Sequence, residues 1–306
     1  MLKYSLKRLI TAIPTLFILM TMAFFMMRAA PGGPFDTEKT LPPEIQANLD
    51  KKYHLDEPLI QQYGRYLLDL VRGDFGPSFQ YKDYTVNELI ATGFPVSLKL
   101  GGIAVLLAFV VGSGIGIMAA RMQNSPTDYT LMAGAMTGIS IPNFVLAPLL
   151  ILVFAVYLQW LPAGGWNDGA IRNTILPIIG LALPQIAYIS RLMRGSMIEV
   201  LRSNAIRTAR AKGLPEHTVI LRHALRPALL PVISFLGPAT AAILTGSVVI
   251  EQIFGIPGLG RYFVQGALNR DYTLVMGVVV FYGALIILFN FIVDLLYAAL
   301  DPRIRY

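Results

Sequence analysis

Apolar residues dominate the chain in long blocks that carry no Asp, Glu, Lys or Arg. The blocks are Leu9–Met27, Leu100–Ala120, Tyr129–Asn167, Asn173–Ser190, Pro227–Ile250 and Tyr272–Val293. A helix needs about 20 apolar residues to cross the hydrocarbon core of a bilayer. The third block is too long for one crossing. Its end, Leu161–Trp166, is rich in Pro, Gly and Trp and reads as a loop, which leaves a helix near Leu131–Gln159. The pattern predicts an all-α polytopic membrane protein with six transmembrane helices. A soluble protein with a buried helical core is the alternative, but these blocks leave it too little polar surface. The first block follows Lys3, Lys7 and Arg8, as in a signal peptide. It exceeds the usual apolar signal core of about 7–15 residues, and more spans follow, so an uncleaved anchor is expected.

Lysine and arginine in the short loops set orientation. With the N-terminus inside, the inner side holds 14 basic and 4 acidic residues, and the outer side holds 11 and 13. Asp294 lies within the last span. The formal net charge of +7 is therefore accounted for by topology, and nucleic acid need not be invoked. Both termini are expected in the cytoplasm.

Between the first two spans, Pro31–Lys99 is longer than a connection requires. Leu41-Pro42-Pro43-Glu44 has the form of a helix start. Leu59, Tyr63, Tyr66 or Leu67, and Leu70 recur at helical spacing, and Gly73-Asp74-Phe75-Gly76-Pro77 breaks it. A small helical subdomain on the outer face is expected, serving as a packing cap or as a docking surface for delivered substrate. Gly112 with Gly116, and Gly134 with Gly138, form two GxxxG pairs that let helices approach closely. Pro142, Pro148, Pro177 and Pro184 fall inside spans and predict bends. The domain plan is residues 1–30 as an anchor span, 31–99 as an external helical segment, and 100–306 as a transmembrane core.

The inner segment Arg191–Arg226 holds eight of the 14 inner cations. Ile198, Leu201, Ala205 and Thr208 fall along one helical face. Gly213 has the place of a residue that stops a helix, and Pro215-Glu216 of one that starts another. Helix, glycine turn and short helix then lead straight into a span. A solvated basic loop would satisfy the charge count, whereas the ordered layout points to a docked element.

Composition narrows the chemistry. Hydrophobic residues make up 55% and charged residues 14%, against about a quarter charged in soluble domains, and mean hydropathy is +0.59. With no cysteine and three histidines, His54, His217 and His223, thiolate chemistry is excluded and a histidine-built metal cluster is not expected. The chain has neither GxxxxGK[ST] nor HExxH, so neither ATP hydrolysis nor zinc proteolysis is expected of it. Proton- or sodium-coupled carriers commonly place an acid at mid-membrane. Here Asp294 is the candidate, near the inner end of its span, where pairing with Arg303 or Arg305 would also explain it.

Ile206-Arg207-Thr208-Ala209-Arg210-Ala211-Lys212-Gly213-Leu214, followed by Arg222 to Pro231, resembles the cytoplasmic signature of binding-protein-dependent ABC importer permeases. That signature opens Glu-Ala-Ala and has a glycine after three intervening residues. Ala209 and Gly213 match it, while Arg207 stands at the glutamate and Thr208 at the first alanine, as in the peptide-importer branch. Gly73 to Ser78, Glu251-Gln-Ile-Phe-Gly-Ile-Pro-Gly-Leu-Gly-Arg261, and Asp301 to Tyr306 resemble the same branch. Thr40–Lys82 and Leu161–Asn173 are most similar to the first permease subunit of oligopeptide importers. Dipeptide, nickel and glutathione importers share these signatures. The resemblance implies a type I ABC importer fold and partners in a bacterial inner membrane. These are a second homologous permease, one or two cytoplasmic ATPases that bind ATP and magnesium, and an external peptide-binding protein. No cofactor is expected in this chain and no catalysis by it. Coupling to the ATPases is assigned to Ala209, Lys212, Gly213, Leu214 and Pro215 for backbone shape, and to Arg207 and Arg210 for charge. A stand-alone secondary carrier, or a purely structural membrane protein, is the rival reading.

Overall fold

The computed structural model describes residues 2–29, 33, 35 and 43–300. Helix α1 spans Leu2–Ala29 and the outer segment contributes α2, Pro43–Lys52, and α3, Leu59–Val71. The core follows with α4 (Val86–Arg121), α5 (Pro126–Ser140), α6 (Asn143–Leu150, continued as a π-helical stretch to Tyr157) and α7 (Ile171–Leu201). Then come α8 (Asn204–Ala211), the single turn α9 (Glu216–Thr218) and α10 (Leu225–Gly246), the last two joined by π-helical Val219–Ala224. Helices α11 (Val248–Phe254), α12 (Leu259–Leu268) and α13 (Tyr272–Leu300) complete the chain.

Among the described residues, five helices are long and apolar enough to cross a membrane, and a bent pair brings the number to six. That pair is the expected third span. Instead of one helix over Leu131–Gln159, the chain runs as α5 and α6, bent by 106° at a break. The cause is local. Ile141 precedes Pro142, and the proline ring excludes the helical region for its predecessor. Ile141 is accordingly extended, at φ −103° and ψ 117°. Pro142 then starts the next helix, with its carbonyl accepting from Val145 and Leu146. The second span also departs from expectation. Helix α4 begins at Val86, well before Leu100, under a capping box in which Thr85 and Glu88 bond each other's backbone N–H.

Small residues bring α4 against its neighbours. Gly101, Ala104, Ala108, Gly112 and Gly116 lie on its buried side. A Cβ on Gly112 would stand 2.9 Å from Ile189, and one on Gly116 2.6 Å from the Ser190 carbonyl of α7. Of the second pair, Gly138 meets the Leu183 carbonyl, whereas Gly134 faces open space and brings no helix closer. Leu100, Leu176, Ile189, Met193, Met197 and Ile250 fill the resulting core.

The outer segment is bolted to the spans. Tyr63 and Tyr66 of α3 pack on Phe24 of α1, with ring centroids 5.3 and 5.6 Å away, and Thr21 shares a 2.7 Å hydrogen bond with the Tyr63 hydroxyl. Buried Asp271 caps α13 by accepting from Leu274 N–H at 3.1 Å. The Ser78 hydroxyl and the Gln80 N–H also donate to Asp271, and Thr273 donates to the Pro77 carbonyl at 2.6 Å. The helix start expected in Leu41-Pro42-Pro43-Glu44 falls where α2 begins, at Pro43 with Glu44 in its first turn; Leu41, Pro42, Arg303, Arg305 and the side chain of Asp294 lie outside the described residues.

Candidate coupling site

At the far end of the bundle from α2 and α3, α7 ends at Leu201 and the chain turns at Arg202 and Ser203. The turn divides the face expected to join Ile198 and Leu201 with Ala205 and Thr208. Helix α8 restarts at Asn204, and its buried residues are Ile206 and Ala209, one turn apart. Both join the core cluster that holds Met197, Val219 and Ile220. Ala205 and Thr208 are exposed. Helix α8 buries these two apolar residues and presents the rest outward: Asn204, Ala205, Arg207, Thr208, Arg210 and Ala211.

Gly213 ends the helix as its sequence position predicts. At φ +73° it occupies the left-handed region open to glycine. Its N–H donates to the Arg210 carbonyl at 2.9 Å and Leu214 N–H donates to the Ala209 carbonyl at 3.4 Å. These two bonds form a Schellman motif and satisfy carbonyls that the helix end would leave bare. Pro215, at φ −65° and ψ 146°, then points the chain in a new direction, and its carbonyl accepts from Thr218 and Val219. Arg210 and Glu216 bridge the turn through two hydrogen bonds of 2.6 and 3.1 Å. Both side chains are about half exposed, at 46% and 50%, so the pair steers the turn more than it stabilises it. The bonded Glu216 carboxylate raises the Arg210 pKa, against a smaller lowering by burial.

Six of the seven residues assigned to coupling, Arg207, Arg210, Lys212, Gly213, Leu214 and Pro215, are exposed together on this one element. Ala209 is 6% exposed. Its place is to seat α8 on the bundle, and no partner can touch its side chain without moving the helix.

Two features beneath and opposite this element escape the sequence. Asp128 of α5, 1% exposed, accepts two hydrogen bonds from Arg194 of α7 at 2.7 and 2.6 Å. Asn124 N–H adds a third at 2.9 Å, and Arg202 donates to Gln123 at 3.1 Å. The α4–α5 turn is thus clamped to the end of α7 from which α8 hangs. At the opposite end of the bundle, Glu251 of α11 is fully buried. It accepts from the Ser97 and Ser247 hydroxyls, each at 2.6 Å, and from Arg261 N–H at 3.2 Å. Ser97 in turn accepts from Leu259 N–H at 2.9 Å. Gly258 and Gly260 leave the space this carboxylate fills, since a Cβ on either would stand 2.4 or 2.9 Å from its atoms. Nearby, the Lys99 amino group donates to the Gly169 carbonyl at 3.0 Å and lies 5.3 Å over the Trp166 ring, holding the loop after α6 to α4.

An exposed, rigidly seated helix–turn–helix beneath a helical bundle can transmit movement between a soluble partner and the spans. The chain itself resembles known proteins along its whole length. Over 306 residues it is 62% identical to the oligopeptide transport system permease protein OppB of Salmonella typhimurium, covering 100% of both chains. It is 47% identical over 305 residues to the dipeptide transport system permease protein DppB of Bacillus subtilis, covering 100% of this chain and 98% of the relative. In fold it is similar to the MetNI methionine ABC transporter in an inward-facing conformation, with TM-score 0.57 and 19% identity over 70% of this chain and 96% of that one. Residues 1–101 match the N-terminal model of the binding-protein-dependent transport system membrane component. Residues 112–306 match the binding-protein-dependent transport system inner membrane component, and to that family of importer permeases the chain belongs.

Proposed function

We propose that this chain is one of two permease subunits of an ATP-driven importer and forms, with a second homologous permease, a path for oligopeptides. The observation that carries the proposal is the exposed element from Arg207 to Pro215 in a chain 62% identical to an oligopeptide permease. The dipeptide relative, at 47%, supports dipeptides less strongly. One or two cytoplasmic ATPases hold ATP and magnesium and grip this element, and an external binding protein delivers peptide to the outer face. Closure of the ATPases pushes on α8 and the Gly213 turn. The Asp128–Arg194 clamp passes the push to α5 and α7, and the broken α5–α6 pair supplies a joint that can absorb it. In this arrangement 1–30 anchors, 31–99 receives, and 100–306 moves.

The test is reconstitution. Vesicles holding this chain, the second permease and the ATPases, with loaded binding protein outside, are expected to accumulate labelled peptide only with ATP inside. Accumulation by vesicles holding this chain alone would overturn the proposal in favour of a secondary carrier.

The orientation has its own test, because the native chain lacks cysteine. Cysteines placed at Ser203 and Gln80 are read with a membrane-impermeant thiol reagent applied to spheroplasts. Gln80→Cys is expected to label and Ser203→Cys to stay unlabelled until the membrane is opened. The reverse pattern would invert the topology and place the coupling element on the wrong side for an ATPase.

A further inference from the structure

Helix α3 carries more apolar surface than its packing on the bundle uses. At about 100° per residue its circumference divides into three sides. Tyr63, Tyr66 and Leu70 form the first, and the two tyrosines pack on Phe24 of α1. Gln61, Arg65 and Asp69 form the second, which is polar. Ile60, Gly64, Leu68 and Val71 form the third. Ile60 is 70% exposed, Leu68 52% and Val71 87%. A Cβ on Gly64 would meet nothing within 4 Å among the described residues, so the third side is open at its middle as well. Aligned apolar side chains left open mark an interaction surface, as scattered ones do not.

The depth of α3 decides what covers that side. The charge-free run of α1 ends just before Arg28, which sets the membrane–water boundary near Arg28. Thr21 lies seven residues earlier, about 10 Å deeper along the helix at 1.5 Å per residue. Yet Thr21 shares a 2.7 Å hydrogen bond with the Tyr63 hydroxyl, and Phe24 and Phe25 both touch the Tyr63 ring, with centroids 5.3 and 5.4 Å away. One tyrosine side chain is all that separates α3 from this depth, so the helix is held at the boundary between headgroups and acyl chains. Its described ring contacts with α1 gather on Phe24 and Phe25, as in a helix that crosses the span instead of running along it. Exposed Met22, Phe25 and Met26 carry the apolar surface of α1 up to it. Arg65, paired with Glu57, and exposed Arg72 lie toward the polar side, the charge that lipid phosphates attract. A soluble binding protein stops at the headgroups and cannot reach this depth.

We propose that α3 is an interfacial helix and that its side of Ile60, Gly64, Leu68 and Val71 lies on the acyl chains of the lipid leaflet around α1. The segment between the first two spans is then held twice, to the bundle by Tyr63 and Tyr66 and to the bilayer by Ile60, Leu68 and Val71. Its height above the spans is fixed, and the polar side of α3 is left for what arrives from outside. The leaflet is the outer one in the orientation proposed above, but the lipid contact depends on neither that orientation nor transport.

The experiment places single cysteines by Ile60→Cys, Leu68→Cys, Val71→Cys and, on the polar side, Gln61→Cys. Each carries a nitroxide label in the assembled importer, its partner subunits free of cysteine, in vesicles of phosphatidylethanolamine and phosphatidylglycerol. All four replace exposed side chains, so no packed group has to move. Power saturation in electron paramagnetic resonance reads collisions with oxygen, which concentrates among acyl chains, and with a nickel chelate, which stays in water. The oxygen-to-nickel ratio is expected to be several-fold higher at 60, 68 and 71 than at 61, at a depth of about 5–10 Å below the headgroups. Equal ratios with ready access for nickel would mean that the side faces water, and would overturn the proposal. Poor access for both reagents at 60, 68 and 71 would mean that protein covers them, the second permease above all, and would overturn it equally. ATP-driven peptide uptake is read on the unlabelled importer in the same vesicles. Uptake without the oxygen contrast removes the lipid contact and leaves the transport function standing, whereas the contrast without uptake removes that function and leaves the contact.

Discussion

Gly213→Val is expected to abolish peptide uptake while the protein still inserts and assembles. Gly213 sits at φ +73° in the Schellman turn that ends α8. A Cβ there would meet nothing within 4 Å, so the obstacle is the backbone conformation alone. A residue with a Cβ pays about 1–2 kcal/mol in the left-handed region, and a β-branched one falls at or above the upper end. At about 2 kcal/mol the native turn is disfavoured roughly thirtyfold. Leu214 and Pro215 then leave their places, the Arg210–Glu216 bridge across the turn opens, and the surface offered to the ATPase changes shape. The spans do not depend on this turn, because Ile206 and Ala209 still seat α8 on the core. The expected signature is normal membrane level, lost uptake, and ATP hydrolysis that loaded binding protein no longer stimulates. Gly213→Asn is the control, since asparagine tolerates the left-handed region better than most residues, and it is expected to keep most of the activity. Coupled hydrolysis unchanged in the valine variant would reduce the segment to a solvated basic loop.

The parts of this molecule legible in its sequence are those set by local rules. The bilayer demands charge-free runs, so the spans stand out whatever surrounds them. Gly213 and Pro215 are legible because a left-handed helix end and a fixed φ each select one residue type. The break at Ile141-Pro142 was also written in the sequence. The effect of a proline on its predecessor is the signal, and it is masked by the unbroken hydrophobicity on both sides. The pattern places the seating of α8 one residue out of register, because the face through Ile198 and Leu201 does not continue across Arg202 and Ser203, where the helix stops. Asp128 and Arg194 are 66 residues apart and Ser97 and Glu251 154 apart. Such pairs leave no periodicity, since each member resembles an ordinary loop or helix-end residue until the helices are packed.

Glu251→Ala is expected to cost the protein at least about 3 kcal/mol, more than any change on the exposed coupling face. The carboxylate takes hydrogen bonds from two hydroxyls and one backbone N–H, in a place no water reaches from outside. Alanine leaves all three donors unpaired, at about 1–3 kcal/mol for each buried group. It also leaves a void beside Gly258 and Gly260, which lack side chains to fill it. The hydroxyls of Ser97 and Ser247 can turn toward the Gly93 and Leu244 carbonyls, at 3.5 and 3.2 Å, and recover part of the loss. The Arg261 N–H has no such recourse, so the damage concentrates in the first turn of α12. Melting of the purified protein should fall on the order of 5 °C or more. Trypsin should cut after exposed Arg261 well before the protein melts. Glu251→Gln separates shape from hydrogen bonding. Its amide oxygen can still receive both hydroxyls, while its NH2 faces the Arg261 N–H donor to donor. A smaller loss is expected, again with faster cleavage at Arg261. If Glu251→Ala melts where the unaltered protein does and resists trypsin equally, then the buried carboxylate is a passenger and the start of α12 is held by the packing of Leu259 and Phe254 alone.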